Sequence, residues 1–345
     1  MSVEQIKRIE WVDYAKVGAI FAVVMLHTYF SGSFTMYMNA FVMPFFFFIS
    51  GFLFSYANNP DYGKFVKKRF RQLVIPYLWI NILAYFFWVF FLRNYGNDSE
   101  QSISWFIPIA GICTGIPPLL VHDIPLWSLL SFFVVDVVFY PLFRVIKSST
   151  LIAVVSFISI YVLIYVCNLK LSHTPLSVAP SLAGLGFYAI GYGWRNSEIR
   201  KKHTFTSFFQ LITIFVVSTI IFYGAATYNG FTSFYLCEYG KNMFLFLIGA
   251  LSGITLSVSL CVIISKKFKD NSFIRFISIG TLIICGFHLL VFACIKGVCL
   301  YVFGISPEVF AESSVARFTL GILGFVLTLP LIYIIRSKLR FLVDK

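Results

Sequence analysis

The sequence predicts an all-α polytopic membrane protein: a bundle of about ten transmembrane helices, N- and C-termini cytoplasmic, forming one domain over residues 1–345. Three observations predict it. Apolar residues make up 59% of the chain and charged residues 12%, against about 25% charged in a soluble domain. The apolar runs are long and continuous. In lipid they must be helices, because backbone groups there have no water to bond, and a β-barrel would instead show alternating segments of about ten residues. Finally, Lys and Arg alternate from loop to loop in the positive-inside sense.

Taken in order, windows of about twenty apolar residues fall near 12–31, 40–57, 73–92, 126–146, 150–167, 177–194, 208–228, 243–264, 274–295 and 316–335. The stretch 177–194 is the weakest helix, because Gly184, Gly186, Gly191 and Gly193 lower propensity, although such glycines also let membrane helices approach closely. With the N-terminus inside, the cytoplasmic segments hold Lys7 and Arg8; Lys64, Lys67, Lys68, Arg69 and Arg71; Arg144 and Lys147; Arg195, Arg200, Lys201 and Lys202; Lys266, Lys267, Lys269 and Arg275; and Arg336, Lys338, Arg340 and Lys345. The outer segments together hold only Arg93, Lys170, Lys241, Lys296 and Arg317. The longest outer segment, about 93–125, contains a run broken by Pro108, Gly111, Gly115, Pro117 and Pro118, which is expected to lie on or dip into the membrane without crossing it.

The net charge of +13 is a property of the cytoplasmic loops, and nothing in the chain points to nucleic acid. The first apolar run contains Lys16 and has no small-residue cleavage site after it, so it is expected to be a retained helix and not a signal peptide. The seven cysteines show no C-x-x-C spacing, and no metal is expected; Cys294 and Cys299 are the pair that an oxidising compartment could join.

The first span, W-V-D-Y-A-K-V-G-A-I-F-A-V-V-M-L-H-T-Y-F, carries Asp13, Lys16 and His27. Lys16 and His27 are eleven positions apart, which puts them within about 20° on one helix face and about 16 Å apart along the axis. Asp13 sits one turn before Lys16. Ionisable groups at membrane depth are costly and mark functional sites by default. The structural alternative is a snorkelling lysine and a buried, satisfied histidine.

In the second span, F-V-M-P-F-F-F-F-I-S-G-F-L-F, Ser50 and Gly51 read first as a close helix contact. The basic run that follows, K-F-V-K-K-R-F-R-Q-L-V-I-P-Y-L-W, sets topology or touches anionic lipid, and Lys68, Arg69 and Arg71 would equally suit a phosphorylated ligand. Asp136 lies mid-span and needs a partner or a proton, with Lys16 and His27 as candidates. His288 lies mid-way along the ninth span. Two histidines and a carboxylate at this depth fit acid–base chemistry or, equally, a transporter's proton relay. His122, His173 and His203 fall in loops and are expected to be solvated.

Together these pieces resemble the acyltransferase-3 family of membrane O-acyltransferases, in particular its fucose-4-O-acetylase-like branch, over most of the chain. W-V-D-Y-A-K-V-G-A-I-F-A-V-V-M-L-H resembles the family's motif of a basic residue, a ten-residue gap and a histidine, with Lys16 and His27 in place. M-P-F-F-F-F-I-S-G-F-L-F is similar to the next motif through Met43, Pro44, Ser50 and Gly51, and K-K-R-F-R-Q-L-V-I-P-Y-L to the arginine-bearing loop through Arg69, Arg71, Pro76 and Tyr77. Trp127 and His288 match later landmarks. Val42 and Ser128 stand where the branch often has His and Phe, which bears on the branch and its sugar more than on the reaction.

The resemblance implies an O-acetyltransferase of the cytoplasmic (inner) membrane. It would move an acetyl group from cytoplasmic acetyl-CoA to a hydroxyl of an envelope glycan or lipid-linked sugar, such as a precursor of O-antigen, capsule or exopolysaccharide. It makes His27 and Lys16 the catalytic core, Arg69, Arg71 and Lys68 contacts of the acyl donor, and His288, Asp136, Asp13 and Ser50 supporting residues. The partners it implies are acetyl-CoA, the sugar acceptor and membrane lipids. The rival reading is a transporter or flippase that moves an anionic glycolipid along the same charges.

Overall fold

The computed structural model describes residues 8–95, 103–197, 207–306, 308–339 and 342. Lys7, Arg200, Lys201, Lys202, His203, Arg340 and Lys345, named above, lie outside the described residues. The principal helices are α1 (Glu10–Leu26), α2 (Gly32–Asn39), α3 (Val42–Leu53), α4 (Tyr62–Leu92), α5 (Phe106–Thr114), α6 (Trp127–Ile146), α7 (Ser149–Val166), α8 (Val178–Asn196), α9 (Phe208–Asn229), α10 (Met243–Lys267), α11 (Ser272–Ile279), α12 (Thr281–Tyr301) and α13 (Ser314–Lys338). Among the described residues the only extended pairing is an antiparallel bridge between Ser233 and Glu238.

Among the described residues, eight helical stretches are long and apolar enough to cross a membrane: α2 with α3, then α4, α6, α7, α9, α10, α12 and α13. The chain is an all-helical, multi-pass membrane protein. The two other expected spans, α1 and α8, are packed among these eight. The first has 17 residues and carries Glu10, Asp13 and Lys16; the second is rich in glycine.

Local chemistry sets the helix boundaries. Side-chain oxygens of Asp61, Ser148, Asn242, Asn271 and Ser313 accept from exposed N–H groups at the first turns of α4, α7, α10, α11 and α13. Pro76 has no N–H and its ring crowds the preceding turn, and α4 widens into a π segment over Phe70–Val74 just before it. Beyond Arg93–Tyr95, the described residues of the 93–125 segment form the short α5, which Gly115 ends at φ 66°, and two single turns, Pro117–Leu119 and Ile124–Leu126. The expected ninth span breaks at Gly280, whose backbone (φ −90°, ψ 3°) leaves the helix and packs against α13, where a Cβ would lie 2.3 Å from Ile332; the crossing helix begins at Thr281.

α1 is the central post, touching α2, α3, α10, α11, α12 and α13. α3 and α8 meet backbone to backbone: a Cβ on Gly51 would stand 1.9 Å from the Tyr188 carbonyl oxygen, and one on Gly191 2.0 Å from that of Phe48. α7 and α9 stand at the periphery. α1 and the α11–α12 pair run in the same direction and are tied at both ends. At one end the Ser278 hydroxyl donates to Asp13 Oδ1 (2.6 Å) and Tyr14 Oη to the Phe268 carbonyl (2.7 Å); at the other, His27 meets His288. The C-terminal end of α13 returns to the Asp13 end, where Arg336 donates to the Ile279 carbonyl at 3.5 Å. All seven cysteines are free. Cys294 and Cys299 share α12, whose rise keeps them about 7.5 Å apart along the axis, beyond the reach of a disulfide.

Candidate active site

A cavity of about 620 Å³ follows α1 from Lys16 to His27. Its Lys16 end is lined by Asn58, Asn59, Lys68, Arg69 and Gln72. Its waist is apolar, formed by Ile20, Val23, Phe46, Ile49, Leu129 and Phe132, with Ser50 also on the wall. Its His27 end is lined by Tyr29, Thr35, Asn39, Trp127, Phe231 and Tyr235. The helical spacing read from the sequence thus becomes the long axis of one chamber.

At the His27 end the hydrogen bonds define the protons. His288, fully buried on α12, approaches the Ile284 carbonyl through Nδ1 at 2.9 Å, so Nδ1 carries hydrogen and Nε2 keeps a lone pair. That Nε2 lies 3.2 Å from His27 Nδ1, which is also 2.8 Å from the Val23 carbonyl. Both neighbours of His27 Nδ1 are acceptors. The consistent assignment gives Nδ1 the hydrogen and leaves His27 Nε2 with the lone pair, on a side chain that lines the cavity. A neutral imidazole in this tautomer can accept a proton from a hydroxyl.

The sequence suggests Lys16 and His27 as partners for Asp136. The structure corrects this. Asp136, 1% exposed in the middle of α6, forms an ion pair with Arg69 of α4 and accepts from Tyr188 Oη of α8 at 2.7 Å. The reason is packing: the α3–α8 backbone contact brings Tyr188 to α6, and the basic turn of α4 lies across the same point. Arg69 also donates to Gln72 Oε1 at 3.2 Å, so its guanidinium is held in place on the cavity wall. Tyr188 and Gln72 were not foreseen. In the sequence they are one aromatic and one amide among many, and only the fold aims them at charged groups.

Lys16 lies between this cavity and a second one of about 450 Å³ lined by Arg8, Asp13, Asn58, Arg195 and Ser278. Asp13 is not its ion-pair partner: the carboxylate joins Arg8 and Ser278. Lys68 lines the main cavity and reaches Asn59 Oδ1 at 3.5 Å, whereas Arg71 points outward, exposed, and is not part of the lining.

His122, expected to be solvated, is 5% exposed. Its Nε2 lies 2.9 Å from Oδ1 of Asn81, whose amide donates to the Tyr77 carbonyl at 2.8 Å. The broken 115–126 segment folds inward and carries the ring with it. Next to it Asp123 is fully buried, and neither carboxylate oxygen has a hydrogen-bond partner. Burial lowers the His122 pKa to about 4 and raises that of Asp123 well above the ordinary carboxylate value. His173 is exposed beside Ser172, 3.0 Å from its hydroxyl.

No curated protein and no solved structure matches the chain. A family model does, and its extent runs from α1 to the last turn of α13. The model is that of the acyltransferase-3 family, an acyltransferase domain; it matches residues 9–337, and the chain belongs to that family.

Proposed function

We propose that this membrane acyltransferase is an O-acetyltransferase that moves acetyl from acetyl-CoA to a sugar hydroxyl across the bilayer of the inner membrane. The observation that carries the reading is the single cavity, basic at its Lys16 end and holding the His27–His288 pair at the other. The distribution of Lys and Arg among the loops supports an orientation with the Lys16 end on the cytoplasmic face, where acetyl-CoA is found. Lys16, Lys68 and Arg69 would receive the donor's phosphates there, since ammonium and guanidinium groups pair with phosphate oxygens. The apolar waist would take the donor's arm and bring the thioester toward His27.

The acceptor hydroxyl gives its proton to His27 Nε2 as its oxygen attacks the thioester carbonyl carbon. The tetrahedral intermediate then collapses, the carbon–sulfur bond breaks, and the departing thiolate takes that proton back from His27. His288 holds the ring in the tautomer this needs. Lys16 is about 16 Å from His27 along α1, so of phosphate and thioester charge it would meet the phosphate. A covalent acetyl-His27 intermediate uses the same Nε2 atom and is the variant to separate by trapping.

The transporter reading requires an attractive path for an anionic substrate along the whole cavity. The charged residues lining it (Lys16, Lys68, Arg69 and Asp136) all lie away from the His27 end. Incubating membranes with labelled acetyl-CoA and purified envelope glycan is the test. Label should reach the glycan, and His27→Ala should cut transfer by about 100-fold or more. Transfer that survives the substitution removes His27 from its role, and acetyl-independent glycan movement would favour transport.

A further inference from the structure

We infer that the His27 end of the cavity is a subsite for an uncharged, hydroxyl-rich ring: a neutral acceptor sugar, stacked on Tyr235 beside the buried Trp127 and faced by Tyr29 and Asn39. The inference deepens the acyl-transfer reading and names the acceptor's chemical class.

The composition of this end carries it. Besides His27 and the aliphatic Leu26 and Leu236, the side chains lining it are aromatic rings, hydroxyls and one amide, and none of the described residues lining it is charged. Pockets of this kind bind through apolar faces and a few directed polar groups. Tyr and Trp supply both, a flat apolar face and a polar tip, which matches a pyranose with C–H bonds on its faces and hydroxyls at its edge. A carboxylated or phosphorylated sugar would be buried here without a counter-charge, at a cost that a neutral sugar does not meet.

The wall is held by its own contacts. Trp127 and Tyr235 have ring centroids 6.3 Å apart with 36° between their planes, and Phe234 backs Trp127 at 6.2 Å and 25°. Tyr235 sits in a turn closed by reciprocal bonds between Ser233 and Glu238, 2.7 and 3.0 Å. The rest of that turn is stapled by Asn229, whose amide donates to the Tyr239 carbonyl and whose Oδ1 accepts from Asn242 N–H, both at 2.9 Å. Opposite, Tyr29 follows His27 by two residues with φ 52°, a left-handed conformation uncommon for a residue with a Cβ; its ring is 64% exposed at the opening. A ring stacked here shares the cavity with His27, where the reacting hydroxyl must be.

The test uses the full chain in detergent or liposomes with three probes: a neutral hexose oligosaccharide, an N-acetylhexosamine oligosaccharide and a uronic-acid oligosaccharide. Equilibrium binding is measured without donor, and acetyl transfer with labelled acetyl-CoA. At least one neutral probe should bind at least tenfold more tightly than the uronate. Tyr235→Ala should weaken that binding and raise the acceptor KM about tenfold with the acetyl-CoA KM unmoved, and Tyr235→Trp should restore both. Equal or tighter binding of the uronate, no binding of either neutral probe, or an acceptor KM indifferent to Tyr235→Ala overturns the subsite. Neutral-sugar binding that Tyr235→Ala abolishes, without any label transfer by the wild type, upholds the subsite and instead defeats the acyl-transfer reading. The same neutral sugar supplied free and lipid-linked tells which source the subsite serves.

Discussion

Asp123 and His122 are adjacent, both buried, and both held in their uncharged forms by burial. Their effects on stability have opposite pH dependence. His122 binds a proton more weakly folded than unfolded, so its contribution is complete above the ordinary histidine value of about 6.5 and is lost as pH falls toward about 4. Asp123 binds its proton more tightly folded than unfolded. Its contribution is present below the ordinary carboxylate value of 3.8 and is lost as pH rises through the raised one. Asp123→Asn removes the second effect and leaves the first in place. The variant should melt above the wild type at pH 8, with the gain shrinking steadily toward pH 4; a gain that is flat or grows on acidification would mean that Asp123 is charged in the fold. Aspartate at this position looks like a loop residue in the sequence, because nothing local announces that 115–126 turns inward. The same holds for Asp136: its depth is legible, its pairing with Arg69 and Tyr188 is not, since the three residues come from three separate helices.

At the scale of elements, the glycines of α3 and α8 decide how closely the two helices pack, and the site depends on that contact because it delivers Tyr188 to Asp136. Gly51→Ala puts a Cβ 1.9 Å from a backbone oxygen that cannot rotate away. The helices must separate, at a cost of about 2 kcal/mol or more. Gly18→Ala on α1 meets nothing within 4 Å and should be neutral or stabilising by up to about 1 kcal/mol. Thermal unfolding in detergent, followed by loss of monodisperse protein, compares the two; equal midpoints would refute the contact. The glycine-rich pattern of 177–194 signalled close approach from the sequence. Which helix it approaches is a tertiary fact. The break at Gly280 is of the same kind: Ile332, the atom group that forbids a side chain there, is fifty-two positions away.

Over the whole molecule the cavity is divided by charge, with cationic groups toward Lys16 and only neutral ones around His27. A donor and an acceptor of different charge can therefore occupy its two ends without exchanging places. If Lys16 receives the donor's phosphates as proposed, Lys16→Gln removes one charge-assisted contact, each worth roughly 1.5–3 kcal/mol. It should raise the acetyl-CoA KM by at least about tenfold and reduce the salt dependence of that KM, while the acceptor KM stays put. An acceptor KM that rises in parallel would place both substrates on the same side of the waist.

The sequence by itself determined the class, the helical architecture and the two ends of the axis. Apolar runs of this length have no alternative to helix in lipid, and an eleven-residue interval returns to the same helix face whatever surrounds it. Helix geometry is local, so these conclusions needed no partner. The tertiary structure decided what the axis connects: His27 with His288, Asp136 with Arg69 and Tyr188, and an aromatic opening made from the end of α1, the start of α6 and the turn between α9 and α10. Those groupings join residues 52 to 261 positions apart. Composition and periodicity do not encode distance across a bundle, and helix packing alone brings such residues to one cavity.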